Sequence, residues 1–117
     1  MKLYLDDIRN PTQSGYNNSE WIVCRNDKTF KDMFISFDNI VTHISLDHDI
    51  DSYDDNGDEV TCYAVLKWLC NYILDNNIDV NNLTILFHTA NPIGRLDMMC
   101  YWSNFKENYE RGINKWN

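Results

Sequence analysis

The stretch Leu83-Thr84-Ile85-Leu86-Phe87-His88-Thr89-Ala90-Asn91-Pro92 decides how we expect this chain to fold. Its first five residues are apolar apart from Thr84, which is typical of a parallel strand that is covered on both faces. Asn followed by Pro is typical of a helix start, because Asn caps free N–H groups and Pro fits the first turn. The stretch therefore predicts a buried strand, a short polar turn and a helix.

The same alternation of strand and helix runs through the rest of the chain. We expect strands over residues 2–5, 21–24, 40–46 and 83–87, a loop over residues 11–19, and helices over residues 27–37, 60–74 and 92–109. The order β-β-α-β-α-β-α favours a compact α/β domain. We expect an open, mostly parallel sheet of about four strands with flanking helices.

Apolar residues in the predicted helices indicate which side of each helix faces the core. The helix over residues 60–74 carries one charge, on Lys67, so we expect it to be buried on more than one side. In the first and last helices the apolar residues recur at three- and four-residue steps. The residues that we expect in the core are Phe30, Met33, Phe34, Phe37, Trp68, Leu96, Met98, Met99, Trp102, Phe105 and Tyr109.

Composition and charge limit the classes of function. The chain has 117 residues, 44% of them apolar and 14% aromatic, which fits a single domain over residues 1–117. A net charge of −8 argues against binding of duplex nucleic acid, which needs clustered Lys and Arg. No apolar run reaches the roughly 20 residues of a membrane span, and we predict no signal peptide. We therefore expect a cytoplasmic protein with reduced core thiols at Cys24, Cys62, Cys70 and Cys100.

Polar side chains follow three of the predicted strands, at the point where each strand ends. In chain order they are Asp6, Asp7, Asp47, His48, Asp49, His88 and Thr89. Ligands of open α/β sheets bind beyond the carboxyl ends of the strands, so these residues form the candidate site. Carboxylates on neighbouring strands, about 5 Å apart, would repel each other by roughly 3 kcal/mol. Either protons or a divalent cation, Mg²⁺ or Mn²⁺, would neutralise them, and we favour the cation.

The polar residues at the strand ends resemble the acidic pocket of response-regulator receiver domains. The matching residues are Leu5-Asp6-Asp7 at the end of the first strand, Asp47 at the end of the third and Thr89 at the end of the fourth. The resemblance implies a receiver-like fold of the flavodoxin type and an Asp that accepts a phosphoryl group with the help of Mg²⁺. The sequence departs from receivers in two places. A loop replaces the helix between the first two strands, and no fifth strand with its phosphate-holding Lys is evident after Tyr109.

Three longer motifs resemble a divergent group, the cyclic-phosphate-processing receiver-like domains. They are Leu-Asp-Asp-Ile-Arg-Asn-Pro at 5–11, Leu-Asp-His-Asp at 46–49 and His-Thr-Ala-Asn-Pro-Ile-Gly at 88–94. The resemblance implies a phosphoesterase that acts on a cyclic phosphate, either a 2′,3′-cyclic RNA end or a cyclic nucleotide. The implied partner is therefore a small phosphorylated ligand or an RNA terminus.

The chemistry of such a reaction assigns a role to each candidate residue. Opening a cyclic phosphodiester needs an activated water, a proton for the leaving oxygen and stabilisation of charge on phosphorus. The candidates for acid, base and catalytic carboxylate are His48, His88 and Asp47. The candidates for metal binding are Asp6, Asp7, Asp47 and Asp49. The candidates for phosphate binding are Arg9, Thr89 and Asn91, with the free N–H groups at the start of the last helix.

Other interpretations of the same residues stay open. His88 follows apolar residues and fits a buried structural histidine, and Arg9 fits an ion pair with Asp6 or Asp7. A non-catalytic module that binds or sequesters a cyclic nucleotide or a protein partner is one alternative function. A true receiver that is phosphorylated on Asp47 is another, and an interaction protein without chemistry at this edge is a third.

Overall fold

The computed structural model describes residues 1–50 and 53–110 and contains one four-stranded sheet. The strands are β1 (Lys2–Leu5), β2 (Trp21–Cys24), β3 (His43–Leu46) and β4 (Thr84–Phe87). The α-helices of the described residues are α1 (Asp27–Phe37), α2 (Cys62–Asn76) and α3 (Pro92–Glu110). Short 3₁₀ turns lie at Pro11–Ser14, Asn18–Glu20 and Val80–Asn82. No helix of this described part is long and apolar enough to cross a membrane.

All strands of the sheet are parallel, in the order β2-β1-β3-β4. The predicted receiver-like α/β fold is therefore confirmed, and the sheet is entirely rather than mostly parallel. The register places Leu5 beside Leu46 and Leu46 beside Phe87, so β1, β3 and β4 end side by side. The residues that directly follow these three strands therefore lie next to one another at the carboxyl edge of the sheet.

Local capping explains where the structure differs from the predicted boundaries. The side chain of Thr61 accepts a hydrogen bond from the N–H of Ala64, so α2 starts at Cys62 rather than at residue 60. Asn77 adopts the left-handed conformation, with φ 51°, and ends the same helix. The N–H groups of Ile40 and Val41 both donate to the carbonyl oxygen of Phe37. Residues 40–41 therefore close α1 and do not begin β3.

The two faces of the sheet are covered in different ways. Successive side chains of a strand point to opposite faces, and Leu3, Leu5, Ile44 and Leu46 pack into one core with the buried residues of the helices. On the other face lie Tyr4 and Ser45, both fully buried. The loop over residues 10–20 covers Tyr4, whose hydroxyl lies 2.8 Å from Oγ of Ser14. This loop takes the place of the helix that receivers have between the first two strands.

An aromatic cluster holds the loop on the sheet. Tyr16 stacks on Trp21 with ring centroids 4.9 Å apart, and Tyr4 meets Tyr16 edge-on at 6.2 Å. Aromatic pairs in these arrangements contribute about 0.5–1.5 kcal/mol beyond the area they bury. The cluster therefore gives this face of the sheet a core of its own without a helix.

Several residues predicted for the core are exposed, and those predictions were wrong. Leu96, Met99 and Phe37 expose 60%, 43% and 37% of their surface, and Cys100 is exposed as well. In α3 the buried positions are Gly94, Met98, Trp102 and Phe105. Met98, Trp102 and Phe105 are therefore buried as predicted, and the stripe is shifted only at the start of the helix, where Gly94 is buried and Leu96 is exposed. β4 is an edge strand, so α3 lies at the edge of the sheet and packs mainly against α2 and β4. The side of α3 that faces these two elements is the buried side.

The other three cysteines are buried and free, as expected. Burial raises the pKa of Cys24 to about 11 and that of Cys70 to about 12, so both thiols stay protonated near neutral pH. The prediction of a single domain over residues 1–117 includes residues 51–52 and 111–117, which lie outside the described residues.

Paired substitutions in α2 and α3 test this packing. Leu69 is fully buried, so Leu69→Ala should lower the free energy of unfolding by about 2–5 kcal/mol. Leu96→Ala, which removes the same atoms from an exposed position, should change it by less than about 0.5 kcal/mol. Urea denaturation of the two variants measures the difference. Equal losses would mean that Leu96 belongs to the core after all.

Candidate functional site

Asp6, Asp47 and His88 form a row at the carboxyl edge of the sheet. Each follows one of the neighbouring strands, and the backbone ladder continues into them, with Asp47 N–H donating to Leu5 (3.1 Å) and His88 N–H to Leu46 (3.0 Å). One potential ligand atom from each of the three side chains lies within 4.8 Å of the others. The predicted convergence of these residues is therefore what the parallel register produces.

Asp6 is a fully buried carboxylate whose oxygens accept four hydrogen bonds. Its Oδ1 accepts from the backbone N–H groups of Ile8 and Arg9, both at 2.9 Å. Its Oδ2 accepts from Nε of Arg9 at 3.0 Å and from Nε2 of His88 at 3.1 Å. Burial alone would raise the pKa of Asp6, but these hydrogen bonds and the charge of Arg9 lower it overall. Asp6 is consequently ionised at neutral pH.

The Arg9 guanidinium bridges the two buried carboxylates. While its Nε contacts Asp6, its Nη2 donates to Oδ1 of Asp47 at 2.9 Å. The same Oδ1 accepts the backbone N–H of His48 at 2.8 Å. The repulsion between the carboxylates is thus relieved by an arginine of the chain itself. The side chain of Arg9 exposes 32% of its surface, so its outer edge faces solvent.

His88 is enclosed. Its ring stacks on Tyr4 with centroids 4.2 Å apart, and its side chain exposes 2% of its surface. Its Nδ1 lies 2.7 Å from Oγ of Ser45. Burial lowers the pKa of His88, against the opposite effect of its hydrogen bond to Asp6 and of the nearby carboxylate charges. Oγ of Ser45 is shared between Nδ1 of His88 and the hydroxyl of Tyr16, which lies 3.3 Å away, so both ring nitrogens of His88 have partners.

His48 lies at the rim and is half-buried. Its Nδ1 is 2.9 Å from Oδ1 of Asp49, whose side chain is 68% exposed. Its ring rests on the first turn of α3, where a Cβ atom added at Gly94 would lie 2.6 Å from Nε2. In the described part of the chain, Nε2 has no hydrogen-bond partner. The pair of His48 and Asp49 therefore presents one free ring nitrogen beside the start of α3.

Thr89 and Asn91 hold the start of α3. The Thr89 hydroxyl accepts the N–H of Asn91 at 3.1 Å, and the Asn91 side chain accepts the N–H of Gly94 at 3.0 Å. Pro92 has no N–H, so in this first turn the N–H of Ile93 is the donor left for a ligand. Of the N–H groups predicted to be free at this helix start, Asn91 therefore occupies that of Gly94 and leaves that of Ile93.

Asp7 and Asp49 do not join the row of Asp6, Asp47 and His88. A further residue, Arg25, was missed by sequence reasoning. It follows β2, and its guanidinium donates to the carbonyl oxygen of Arg9 at 2.6 Å and to Oδ1 of Asn10 at 2.6 Å. A basic residue at the end of the remaining strand is the signal that could have indicated it.

The three clustered side chains do not fit a divalent cation while Arg9 is in place. Asp6 already accepts four hydrogen bonds, and both ring nitrogens of His88 have partners. Within residues 1–50 and 53–110, Oδ2 of Asp47 is the one carboxylate oxygen of the row without a donor. A metal ion would need at least one of the contacts of Arg9 or His88 to break.

The family described as "Cyclic-phosphate processing Receiver domain" matches residues 1–104. The chain belongs to this family. The resemblance inferred from the three motifs is therefore confirmed, over nearly the whole of the described chain. No curated protein and no solved structure gives a match. In this receiver domain the motif at 88–94 contains both the buried His88 and Gly94, on which His48 rests.

The enclosed His88 gives the receiver domain a specific pH dependence. In the folded state the pKa of His88 is lowered from its ordinary value of 6.5. Below about pH 6.5, His88 therefore binds a proton in the unfolded chain more readily than in the folded chain. The free energy of unfolding should therefore fall as the pH drops below 6.5, and His88→Gln should flatten that slope. Urea denaturation between about pH 4.5 and 8 measures it, above the range of most carboxyl groups.

His43, at the opposite edge of the sheet, is the control for that measurement. Burial lowers its pKa too, so it contributes with the same sign, but it is half-exposed. His43→Gln should leave most of the slope in place. A slope that His43→Gln removes and His88→Gln preserves would contradict the assignment.

The contact between His48 and Gly94 predicts a coupling between the two positions. In the wild type, Gly94→Ala would force the imidazole ring away from α3 and should not stabilise the protein. In a His48→Ala background the same change meets no ring and should stabilise the helix by about 0.5–1 kcal/mol. A double-mutant cycle by urea denaturation measures the interaction energy, for which we expect about 1 kcal/mol or more. Additive effects would mean that the ring does not occupy this place.

Proposed function

We propose that this receiver domain hydrolyses a cyclic phosphodiester and that His48 transfers the proton. The observation that supports the proposal most directly is the His48–Asp49 pair, with its free Nε2 beside the first turn of α3. A carboxylate on one ring nitrogen fixes the tautomer in which the other nitrogen can accept a proton. The pair is at the rim of the carboxyl edge of the sheet, which is where ligands of open α/β sheets bind.

The reaction would proceed by attack of water on phosphorus. Nε2 of His48 accepts a proton from the water as its oxygen bonds to phosphorus, and Asp49 stabilises the imidazolium. The P–O bond to one ring oxygen breaks, and that oxygen receives the proton from the imidazolium. Water is thus added across one ester bond, and the product is a linear phosphomonoester with a free hydroxyl.

Arg9 is the residue that we propose for phosphate binding. Its Nε and one N–H of Nη2 serve Asp6 and Asp47, which leaves three N–H groups of the guanidinium for an anion. The N–H of Ile93 and the hydroxyl of Thr89 would add donors from the start of α3. Asp6 and Asp47 orient Arg9 and do not touch the phosphate in this arrangement.

His88 has a different role in this proposal from the acid or base predicted from the sequence. With 2% of its side chain exposed, and with partners on both nitrogens, it has no access to a bound phosphate. We propose that it positions Asp6, which in turn positions Arg9. In this proposal His48 contacts the substrate, whereas His88 acts on it only through Asp6 and Arg9.

The alternative of a true receiver receives less support. Asp47 exposes 9% of its side chain and is paired with Arg9, which makes its carboxylate a poor nucleophile for a phosphodonor. Among residues 1–50 and 53–110, no Lys forms an ion pair with Asp47. A non-catalytic module that binds a cyclic nucleotide uses the same residues, and the experiment below separates it from the enzyme.

The test is an assay of the purified protein with 2′,3′-cyclic and 3′,5′-cyclic mononucleotides and with RNA that ends in a 2′,3′-cyclic phosphate. We expect a linear product from at least one of them. His48→Ala should lower kcat/KM by about 10²–10⁴-fold, the usual contribution of a general acid–base residue. His43→Ala, which removes a histidine at the opposite edge of the sheet, is the matched control and should leave kcat/KM unchanged.

The same assay decides between the alternatives. Binding of a cyclic nucleotide without turnover, undiminished in His48→Ala, would reject the enzyme in favour of a sequestering module. Turnover that is independent of His48 would reject its proposed role. Parallel reactions with Mg²⁺, Mn²⁺ or EDTA test the metal that the sequence predicted, and loss of turnover in EDTA would show that a metal takes part.

A further inference from the structure

We infer that Arg9 is the resident cation of this site and that its guanidinium keeps divalent metal ions out of it. The inference rests on contacts of Arg9, Asp6, Asp47 and His88, and it is independent of whether the protein turns over a cyclic phosphate. It replaces the expectation that a metal ion neutralises the acidic edge.

The guanidinium of Arg9 lies between the two buried carboxylates. Arg9 reaches Asp6 with Nε at 3.0 Å and Asp47 with Nη2 at 2.9 Å, so a single planar group joins two carboxylates from neighbouring strands. A cation shared by two carboxylates would occupy the same space between them. The guanidinium carries a permanent charge, since it does not lose its proton in proteins.

Most acceptor positions of the two carboxylates already have hydrogen-bond donors. A carboxylate has about four lone-pair positions, and Asp6 accepts four hydrogen bonds. Oδ1 of Asp47 accepts two more, from Arg9 and from the backbone of His48. Of the two carboxylates, only Oδ2 of Asp47 has no donor in the described residues, so an ion that contacted all three side chains would have to displace at least one of these donors, and the loss of a buried hydrogen bond is costly.

Arg9 is also held in place through its main chain. Its own backbone N–H donates to Asp6, and Arg25 donates to its carbonyl oxygen at 2.6 Å. Both contacts fix the main chain from which the side chain extends. Contacts of both its main chain and its side chain therefore hold Arg9 in the site. A metal ion would have to break several of these contacts to displace it.

Without Arg9, three potential metal ligands would remain close together. The ligand atoms of Asp6, Asp47 and His88 lie within 4.8 Å of one another, which is close enough for one ion to contact all three. Two carboxylates and an imidazole suit Mn²⁺. Replacing Arg9 by an uncharged residue should therefore convert a site that excludes metal into one that binds it.

The experiment compares the wild type with Arg9→Met by thermal unfolding with and without millimolar MnCl₂, and by isothermal titration with Mn²⁺. We expect no shift in Tm for the wild type. Arg9→Met should unfold at a lower temperature without metal, because two buried carboxylates lose their partner, and should recover on the order of 5 °C with Mn²⁺. The double variant Arg9→Met/Asp47→Asn should lose that gain.

Two matched variants make the result specific. Arg25→Met removes an arginine from the same rim that contacts carbonyl oxygens and an amide rather than carboxylates, and it should gain no Mn²⁺ response. Arg9→Lys keeps the charge, and it should also gain none. If Arg9→Met does not fold, titration of the wild type with Mn²⁺ keeps the inference falsifiable, because binding that Asp47→Asn abolishes would still overturn it.

Two outcomes would overturn the inference. The first is binding of Mn²⁺ to the wild type that Asp47→Asn abolishes, since the site would then accept a metal beside Arg9. The second is a folded Arg9→Met that does not respond to Mn²⁺, since Arg9 would then not be what excludes the ion.

Discussion

The buried charge of Asp6 is the constraint on which the rest of the structure depends. An ionised carboxylate without solvent is tolerated only when hydrogen bonds and an opposite charge replace the water it has lost. Here the turn after β1 supplies two backbone N–H groups, and Arg9 and His88 supply the side-chain donors. The turn after β1, the end of β4 and the bridge to Asp47 are therefore arranged around a single side chain. A change in any of these segments alters the candidate site through Asp6.

The loop that replaces a helix is part of the same arrangement. His88 reaches Asp6 because its ring lies flat on Tyr4, at 4.2 Å between centroids, and Tyr4 is itself held by the loop through Ser14. A helix over this face would bury the sheet with aliphatic side chains. An aromatic cluster with polar tips instead buries the ring of His88 and leaves both its nitrogens hydrogen-bonded. The departure from the receiver pattern and the enclosure of His88 are thus one structural feature.

The sequence predicts the strands, their parallel arrangement and the convergence of Asp6, Asp47 and His88, because these follow from local patterns and from parallel register. It does not predict which cation neutralises the carboxylates, since the reach of Arg9 across two strands depends on the turn between them. It also places Leu96 and Met99 in the core stripe of α3 and does not place Gly94 there. The sequence shows that apolar residues of α3 recur with a helical period. Which side of the helix is buried depends on the elements that lie beside the edge strand.

The two histidines show why residue type alone does not assign a catalytic role. Both lie just after a strand of the same sheet, and the sequence alone predicts an acid–base role for each of them. Their surroundings separate them: His88 has an aromatic ring beneath it and partners on both nitrogens, while His48 has one carboxylate and one free nitrogen. Burial lowers the pKa of His88 and keeps it neutral, which suits a donor that holds Asp6 in place. Proton transfer to a substrate requires a nitrogen that the substrate can reach, and in the described residues the one histidine at this edge that offers it is His48.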